Sequence, residues 1–451
     1  MTLTKVTYSM LDGPIVNVLD YGADATGATD SYNAFLAAYN SGAGIIVIPL
    51  GDFKLGQTLK LDRAVTILGA AAGGTRDLLP SNTSLINFTG TGAAFEIVGS
   101  DVNGTRNIHI KNLGIIGTSA GACGILVGNT PTPRGYATMC SIIDVQIRGF
   151  VATNACGLHV QYSLNSYFRN VSTYYNYDGI KCEGNNTTLT FESCWSTGNN
   201  RYGYYIHTSL VSGNFINCIA ESNYDSGLCM LGNVSGSNFY GWHSESNCLT
   251  TGNAPTVIYN AGAEDPAYIS FFGGYFGDTV PAGGNGRIFD ITSCSRICIY
   301  TAALPNVSVG FMRVTSGTYY SLVESGQPLN PNDITGNTDH GFRANGVYIN
   351  SYPKKGNTGS IASGTPTTIK TMSIPGLYTV LAFVSPAGTE IANYANLTQI
   401  LWSDGGDGGY IAVAGTSDHM IVSLSGDDIQ VKQLSGNPKT VYYSIDFQPL
   451  H

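Results

Sequence analysis

Phenylalanine returns at Phe191, Phe215 and Phe239, each 24 residues after the last (215 − 191 and 239 − 215), with Phe168 one residue short of that step. Three further columns keep the same rhythm. Val171, Cys194, Cys218 and Trp242 form one, Asn176, Asn199, Asn223 and Asn247 a second, and Gly179, Gly203 and Gly227 a third. A period near 24 that fixes sizes and turn residues predicts a parallel β-solenoid. Each coil sets its inward side chains above those of the coil beneath, with rungs about 4.8 Å apart. The Asn and Gly columns then mark bends that need left-handed backbone angles. The positions that do not repeat are free to face solvent.

The pattern extends both ways. "NIHIKNLGIIG" (Asn107–Gly117) and "SIIDVQIRGF" (Ser141–Phe150) precede the regular stretch, and "AYISFFGGYFGD" and "RIFDITSCSRICIY" follow it. We place the solenoid over residues 21–350, after a neck or short anchor segment at 1–20, and read the interval between Gly117 and Ser141 as a loop thrown out from a coil. Composition agrees: 57 Gly and 28 Tyr beside only 11% charged residues describe strands and turns, not charged amphipathic helices.

An exposed end coil is a template for aggregation, so a solenoid needs covers. "TDSYNAFLAAY" (Thr29–Tyr39) is the convincing helix near the start, with Thr29 or Asp30 as N-cap and Phe35, Leu36 and Tyr39 as its apolar face; it is expected to cap the first coil over residues 29–40. At the other end "SYPKKGNTGSIASGTPTT" opens a linker, assigned to 351–360. After it "YTVLAFVS", "YIAVAG", "HMIVSLSG", "DIQVKQLSG" and "TVYYSIDF" predict a small C-terminal β-sandwich over 361–451.

The formal net charge of −9 and the lack of any basic run argue against nucleic acid or an anionic membrane as partner. The first residues lack the apolar core of a secretory signal, and no apolar stretch is long enough to span a bilayer, so synthesis in the cytosol and a soluble product are expected. Ten cysteines are scattered without a CxxC pair or metal-ligand spacing, and they read as reduced, buried, small apolar residues. No metal or cofactor is expected, although scattered carboxylates could recruit calcium in a lyase.

"KVTYSMLDGPIVNVLDYGADATGATDSYNAFLAAY" followed by "GIIVIPLGDFKL" resembles the entry segment of bacteriophage tailspikes that carry a pectate-lyase-like right-handed parallel β-helix. Those spikes have a neck strand, a "VNV-D-GA-pTG--D" segment, a capping helix and an apolar strand ending in Pro-x-Gly. The match is close over Lys5–Leu55 and rests on rhythm beyond it. The resemblance implies a right-handed single-stranded parallel β-helix in a homotrimer on a virion, assembled in the host cytoplasm. It also implies a tail or baseplate adaptor as partner, a bacterial capsular or exopolysaccharide that is bound and usually cut, and a C-terminal β-domain that trimerises or binds sugar. Such spikes often carry a large particle-binding domain before the neck, whereas this chain begins at the neck; docking through a short peptide, or loss of a longer segment, would account for that.

Glycosidic hydrolysis normally uses two carboxyls, about 5–5.5 Å apart for retention and farther for inversion. Glu221 and Glu245 stand in one column, 245 − 221 = 24, and are the leading pair. Stacked carboxylates repel, which raises one pKa and prepares a proton donor. Glu192 in an adjacent column, or Asp225 on the coil of Glu221, could replace one member. As solvated acids on a turn face all four would be inert. A lyase acting on a uronate would instead need a cation and a base, and His159, Lys181 and Tyr205, with Gln161, Glu183 and His207 two residues on, supply those types outside the inward Leu158, Ile180 and Tyr204. "GNTDHG" (Gly336–Gly341) lacks the partners a polygalacturonase would carry and reads as a turn. Tyr174, Tyr175, Tyr177, Trp195, Tyr202, Tyr224 and His243 crowd a few coils, with Arg201 among them. Flat rings stack on sugars, so these residues are expected to bind the glycan, while Trp242 could fill the core. The readings left open are a hydrolase, a lyase, a non-catalytic receptor-binding spike and a cellular pectate-lyase-like enzyme.

Overall fold

The computed structural model describes residues 15–73, 82–99, 105–129, 136–250, 253–259, 267–278, 288–292 and 294–301, and the backbone of further strands as far as residue 449. Two compact units are formed, one from Met1–Val314 with Glu324–Thr335, the other from Thr315–Val323 with Gly336–His451.

The first unit is a parallel β-helix. Phe168, Phe191, Phe215, Phe239 and Phe271 are successive register partners, and their buried rings stack at centroid separations of 4.7, 4.9, 4.5 and 4.5 Å. The second apolar column is equally buried, Trp242 included. Each regular coil has three limbs. The first carries Thr190–Glu192, Asn214–Ile216 and Asn238–Tyr240; the second carries Trp195–Thr197, Ile219–Glu221 and His243–Glu245; the third carries Cys156–Val160, Asp178–Cys182, Tyr204–Val211 and Leu228–Ser235.

The bends are made differently from the sequence expectation. Asn176, Asn199, Asn223 and Asn247 are not left-handed; they are fully buried and form a ladder. The backbone N–H groups of Asn176, Asn199 and Asn223 donate to the side-chain oxygen of the next Asn at 3.1, 3.1 and 3.2 Å. Asp278 closes the ladder by accepting from the N–H of Asn247 at 2.8 Å. Burying an amide is tolerable only when its donors and acceptors are met, and the stack meets them rung by rung. The left-handed positions are instead Asn170, Ser193, Asn217 and Gly241 between the first and second limbs, and Tyr175, Gly198, Ser222 and Ser246 after the second. Gly179, Gly203 and Gly227 are required by close approach: a Cβ on Gly203 would lie 2.7 Å from the Gly227 carbonyl oxygen and 2.7 Å from Asn223 Nδ2.

The interval read as a loop contains the strand Cys123–Val127, paired with Ala93–Ile97 below and Cys156–Val160 above, so it contributes a full rung. The N-terminal helix spans Tyr32–Asn40 and begins later than expected, because Thr29 is held outside it by Asp24. Asp30 does act at its start, accepting from the Tyr32 N–H at 3.0 Å. Phe35 and Tyr39 are buried, and Phe35 meets Phe53 edge to face at 5.8 Å.

The second unit contains two antiparallel sheets. Gly356–Ile361, Lys439–Pro449, Gly376–Val384 and Ala395–Trp402 form one; Pro366–Thr371, Asp428–Gln433 and Met420–Ser425 form the other. The strand Gly356–Ile361 starts inside the stretch read as a linker. "YIAVAG" and the stretch after Gly336 in "GNTDHG" lie outside the described residues.

Candidate functional site

Two outward surfaces of the β-helix carry the candidate residues. On the second limb Thr197, Glu221 and Glu245 are consecutive register partners, so the two glutamates stand on adjacent rungs. The inward residues between them and their neighbours, Ser196, Ala220 and Ser244, are buried, which turns the glutamates outward. His243, on the same strand as Glu245, donates to its carboxylate at 3.0 Å. Its ring lies 4.9 Å from that of Tyr275 on the next rung.

At the corner after this limb lies a concavity of about 260 Å³ lined by Tyr174, Tyr175, Thr197, Gly198, Ser222, Tyr224 and Leu249. Two of its lining residues flank Glu221: Thr197 lies under it in the register and Ser222 follows it in the chain. Tyr175 and Tyr224 are 53% and 42% exposed. Tyr174 is only 1% exposed, and its hydroxyl donates to Gln146, so it serves as wall and not as the stacking surface expected of it. Trp195 is half-buried on the second limb beneath Ile219.

Glu192 and Asp225 are not part of this pair. Glu192 lies on the first limb, beyond the left-handed Ser193, in register with Arg169 and Ile216, and it accepts from the Tyr167 hydroxyl. Asp225 lies past the next corner and accepts from Asn253 Nδ2 at 2.8 Å and the Ser226 N–H at 2.9 Å.

The third limb brings together the residues considered for elimination. Lys60, Glu96, Leu126, His159, Lys181, Tyr205 and Cys229 follow one another in register. Leu158, Ile180 and Tyr204 are buried inside, as the alternation required. Glu183 gathers the charges: it is 2.8 Å from Lys181 Nζ, 3.1 Å from His159 Nε2 and 3.4 Å from His207 Nδ1. The hydrogen bond from His159, reinforced by Lys181, holds the Glu183 carboxyl well below the usual carboxylate range. Burial opposes the imidazolium of His159, but hydrogen bonds to Cys123 and Glu183 outweigh it and raise the pKa. Burial also raises the Tyr205 hydroxyl.

Beside this network Arg201 binds the fully buried Asp178 through two nitrogens, at 2.8 and 2.5 Å. Its guanidinium lies 4.8, 4.6 and 4.8 Å from the ring centres of Tyr177, Tyr202 and Tyr205. Three tyrosines are thus engaged by one cation. Lys60, Lys181 and Arg201 on this surface are each met by a carboxylate, Glu96, Glu183 and Asp178.

Sequence reasoning missed two members of the third limb, Cys123 and Cys156. They are register partners, and their sulfurs and a ring nitrogen of His159 lie within 4.8 Å of one another. The signal was present: "ACGILV" (Ala122–Val127) and "ACGLHV" (Ala155–Val160) repeat Ala-Cys-Gly, but 33 residues apart and so off the 24-residue period.

No protein-family model matches the sequence, and none of the curated proteins does. Solved structures do match. The A-module of mannuronan C-5 epimerase AlgE4 from Azotobacter vinelandii is 16% identical with a TM-score of 0.54, over 74% of this chain and 93% of that one. DFA-IIIase from Arthrobacter chlorophenolicus A6 is 13% identical with a TM-score of 0.52, over 74% and 94%. The Dettilon tailspike protein is 11% identical with a TM-score of 0.51, and there the alignment covers 96% of this chain and 95% of that one. The chain therefore shares a parallel β-helix fold with a phage tailspike and with proteins named as carbohydrate enzymes.

Proposed function

We infer that the chain is a bacteriophage tailspike that binds a bacterial surface polysaccharide and cuts it by glycosidic hydrolysis, with Glu221 and Glu245 as the catalytic carboxyls. One observation carries this reading: the two glutamates occupy adjacent rungs, and Thr197 beneath Glu221 and Ser222 after it help to line a concavity walled by tyrosines. Rungs are about 4.8 Å apart, close to the separation retaining enzymes use. Glu221, next to the concavity, donates a proton to the glycosidic oxygen as that bond breaks. Glu245, oriented by the His243 N–H, attacks the anomeric carbon, and water then releases the sugar with Glu221 as base. The exposed rings of Tyr175 and Tyr224 supply stacking surface for neighbouring sugar units.

Elimination fits less well. It needs an unpaired cation for the uronate carboxylate and a base at the C5 proton, whereas Lys181 and Arg201 are neutralised by Glu183 and Asp178. The raised pKa values of His159 and Tyr205 leave less of each in the unprotonated form that could take the C5 proton.

The rest of the tailspike reading follows the same fold. The helix Tyr32–Asn40 acts as lid on the first coil, the two antiparallel sheets form a C-terminal sandwich for trimerisation or sugar binding, and the assembled homotrimer joins a tail adaptor on the virion. Light scattering should give three chains per particle; a monomer would remove the spike reading. Polysaccharide from a strain on which the protein forms a halo should gain reducing ends without unsaturated-uronate absorbance. Absorbance would replace hydrolysis by elimination, and binding with neither signal would leave a recognition spike.

A further inference from the structure

We propose that Cys123, Cys156 and His159 form a binding site for one thiophilic metal ion, zinc in the first instance, within the third limb of the β-helix. Two thiols and an imidazole converge here from adjacent rungs, with donor atoms within 4.8 Å of one another. A tetrahedral zinc with bonds of roughly 2.3 Å to sulfur and 2.0 Å to nitrogen holds its donors about 3.3–3.8 Å apart, so small side-chain rotations close the site. The donor set selects the metal. Thiolate and imidazole suit zinc, whereas calcium and magnesium demand oxygen ligands.

The surroundings are built for a ligated imidazole. The Nε2–H of His159 donates to Glu183 at 3.1 Å, which fixes the tautomer and leaves Nδ1 for the metal. A carboxylate behind a ligating histidine is the usual orienting partner, and Lys181 and His207 hold that carboxylate in turn. Ala93 and Leu126 pack against the two cysteines and keep the sulfurs dry. Asp178, the register partner of Cys156, is occupied by Arg201 and is not a competing ligand. His159 is the member that reaches solvent, with its side chain 15% exposed. The other cysteine column supplies a contrast: Cys194 and Cys218 are stacked and buried in the same way, but with a phenylalanine column and no imidazole beside them.

The ion ties the rung of Cys123 to the rung of Cys156, at the place where the spacing departs from 24 residues. A cross-link there steadies a junction that the repeat alone does not specify.

The test uses the full chain, stripped with a chelator and kept reduced, then titrated with Zn²⁺ against a chromophoric competitor and with Co²⁺ under anaerobic conditions. The expected result is about one tight ion per chain and a thiolate-to-cobalt charge-transfer band in the near ultraviolet. Both are lost in Cys123→Ser and Cys156→Ser and kept in Cys194→Ser. Should the buried serine variants fail to fold, His159→Gln at the partly exposed position weakens zinc binding and shifts the visible cobalt d–d bands in a protein whose circular dichroism is unchanged. Glu183→Gln weakens zinc binding by roughly 10- to 100-fold while leaving the band in place. Absence of a tight site and of the band in the reduced full chain overturns the proposal. So does a His159→Gln variant whose zinc affinity and visible cobalt d–d spectrum equal those of the parent, or peptide mapping of the protein as isolated that finds Cys123 and Cys156 joined as a disulfide.

Discussion

The second and third limbs are wound from the same coils, yet their outer surfaces treat polar groups in opposite ways. On the third limb every strong charge has an internal answer: Glu183 takes Lys181, His159 and His207, and Asp178 takes Arg201, which in turn engages three tyrosine rings. On the second limb Glu221 and Glu245 stand together with no Lys or Arg paired to either among the described residues, only His243 on Glu245, beside exposed Tyr175 and Tyr224. A surface that satisfies itself gains rigidity and has little left to offer a ligand. One whose carboxylates and rings face outward keeps those groups available to a substrate. Residue type alone would have ranked the two surfaces the other way, because the third limb is richer in His, Lys, Arg and Tyr.

The largest expected effect tests that contrast directly. Glu221→Gln and Glu245→Gln should each lower depolymerisation by roughly 100- to 10,000-fold, the range general acid–base or nucleophilic groups contribute, with the fold and glycan binding retained. Lys181→Met should change turnover only a few-fold. Reducing-end assays on the three proteins decide it, and the reverse pattern would move the active site to the third limb.

Next in size is a stability effect with little cost in turnover. Arg201→Ala leaves the fully buried Asp178 carboxylate without its counter-charge, and removing one partner of such a pair costs about 3–5 kcal/mol. Chemical denaturation should show that loss, while the folded fraction still cuts polysaccharide. If Arg201→Ala is as stable as the parent but inactive, Arg201 belongs to the glycan site and the third limb is not self-contained.

How much of this could be read from the chain follows from what a repeat records. The 24-residue step fixed Phe191, Phe215 and Phe239 as one stack and placed Glu245 above Glu221, because register in a parallel coil is a property of spacing alone. Roles within a column were less legible. Asn199 and Asn217 are the same letter, yet one is buried in a hydrogen-bonded ladder and the other turns a corner with φ of 51°. Only the neighbouring rungs distinguish them. Tyr202 and Tyr175 likewise look alike in sequence until Arg201 is seen to engage the first and not the second. The Cys123 rung escaped because its 33-residue spacing broke the period, although its Ala-Cys-Gly signature persisted.

The asparagine ladder gives a third, smaller effect that separates wall from surface. Asn199 accepts from the Asn176 N–H at 3.1 Å and donates to the Asn223 side-chain oxygen at 2.9 Å, all out of contact with solvent. Asn199→Ala orphans those groups, at about 1–3 kcal/mol for a buried unsatisfied donor. The melting temperature should fall, and Asn199→Asp should not restore it, because a carboxylate cannot donate to Asn223. Equal stability of Asn199→Ala would mean that water enters the corner and that the wall is wetter than its packing implies.

The smallest effect probes the concavity itself. Tyr224 is 42% exposed at the edge of the 260 Å³ hollow, so Tyr224→Ala removes ring surface without opening the core. Its stability should stay within about 0.5 kcal/mol of the parent, as for other surface changes. A stacking contact is worth about 0.5–1.5 kcal/mol, which corresponds to a loss of roughly two- to tenfold in affinity for polysaccharide fragments, read by calorimetry in a Glu221→Gln background where nothing is cut. Tyr224→Phe should keep most of that affinity if the ring face makes the contact and lose it if the hydroxyl does. Unchanged binding in both variants would detach the hollow from the carboxylates beside it, and with it the reason for preferring the second limb.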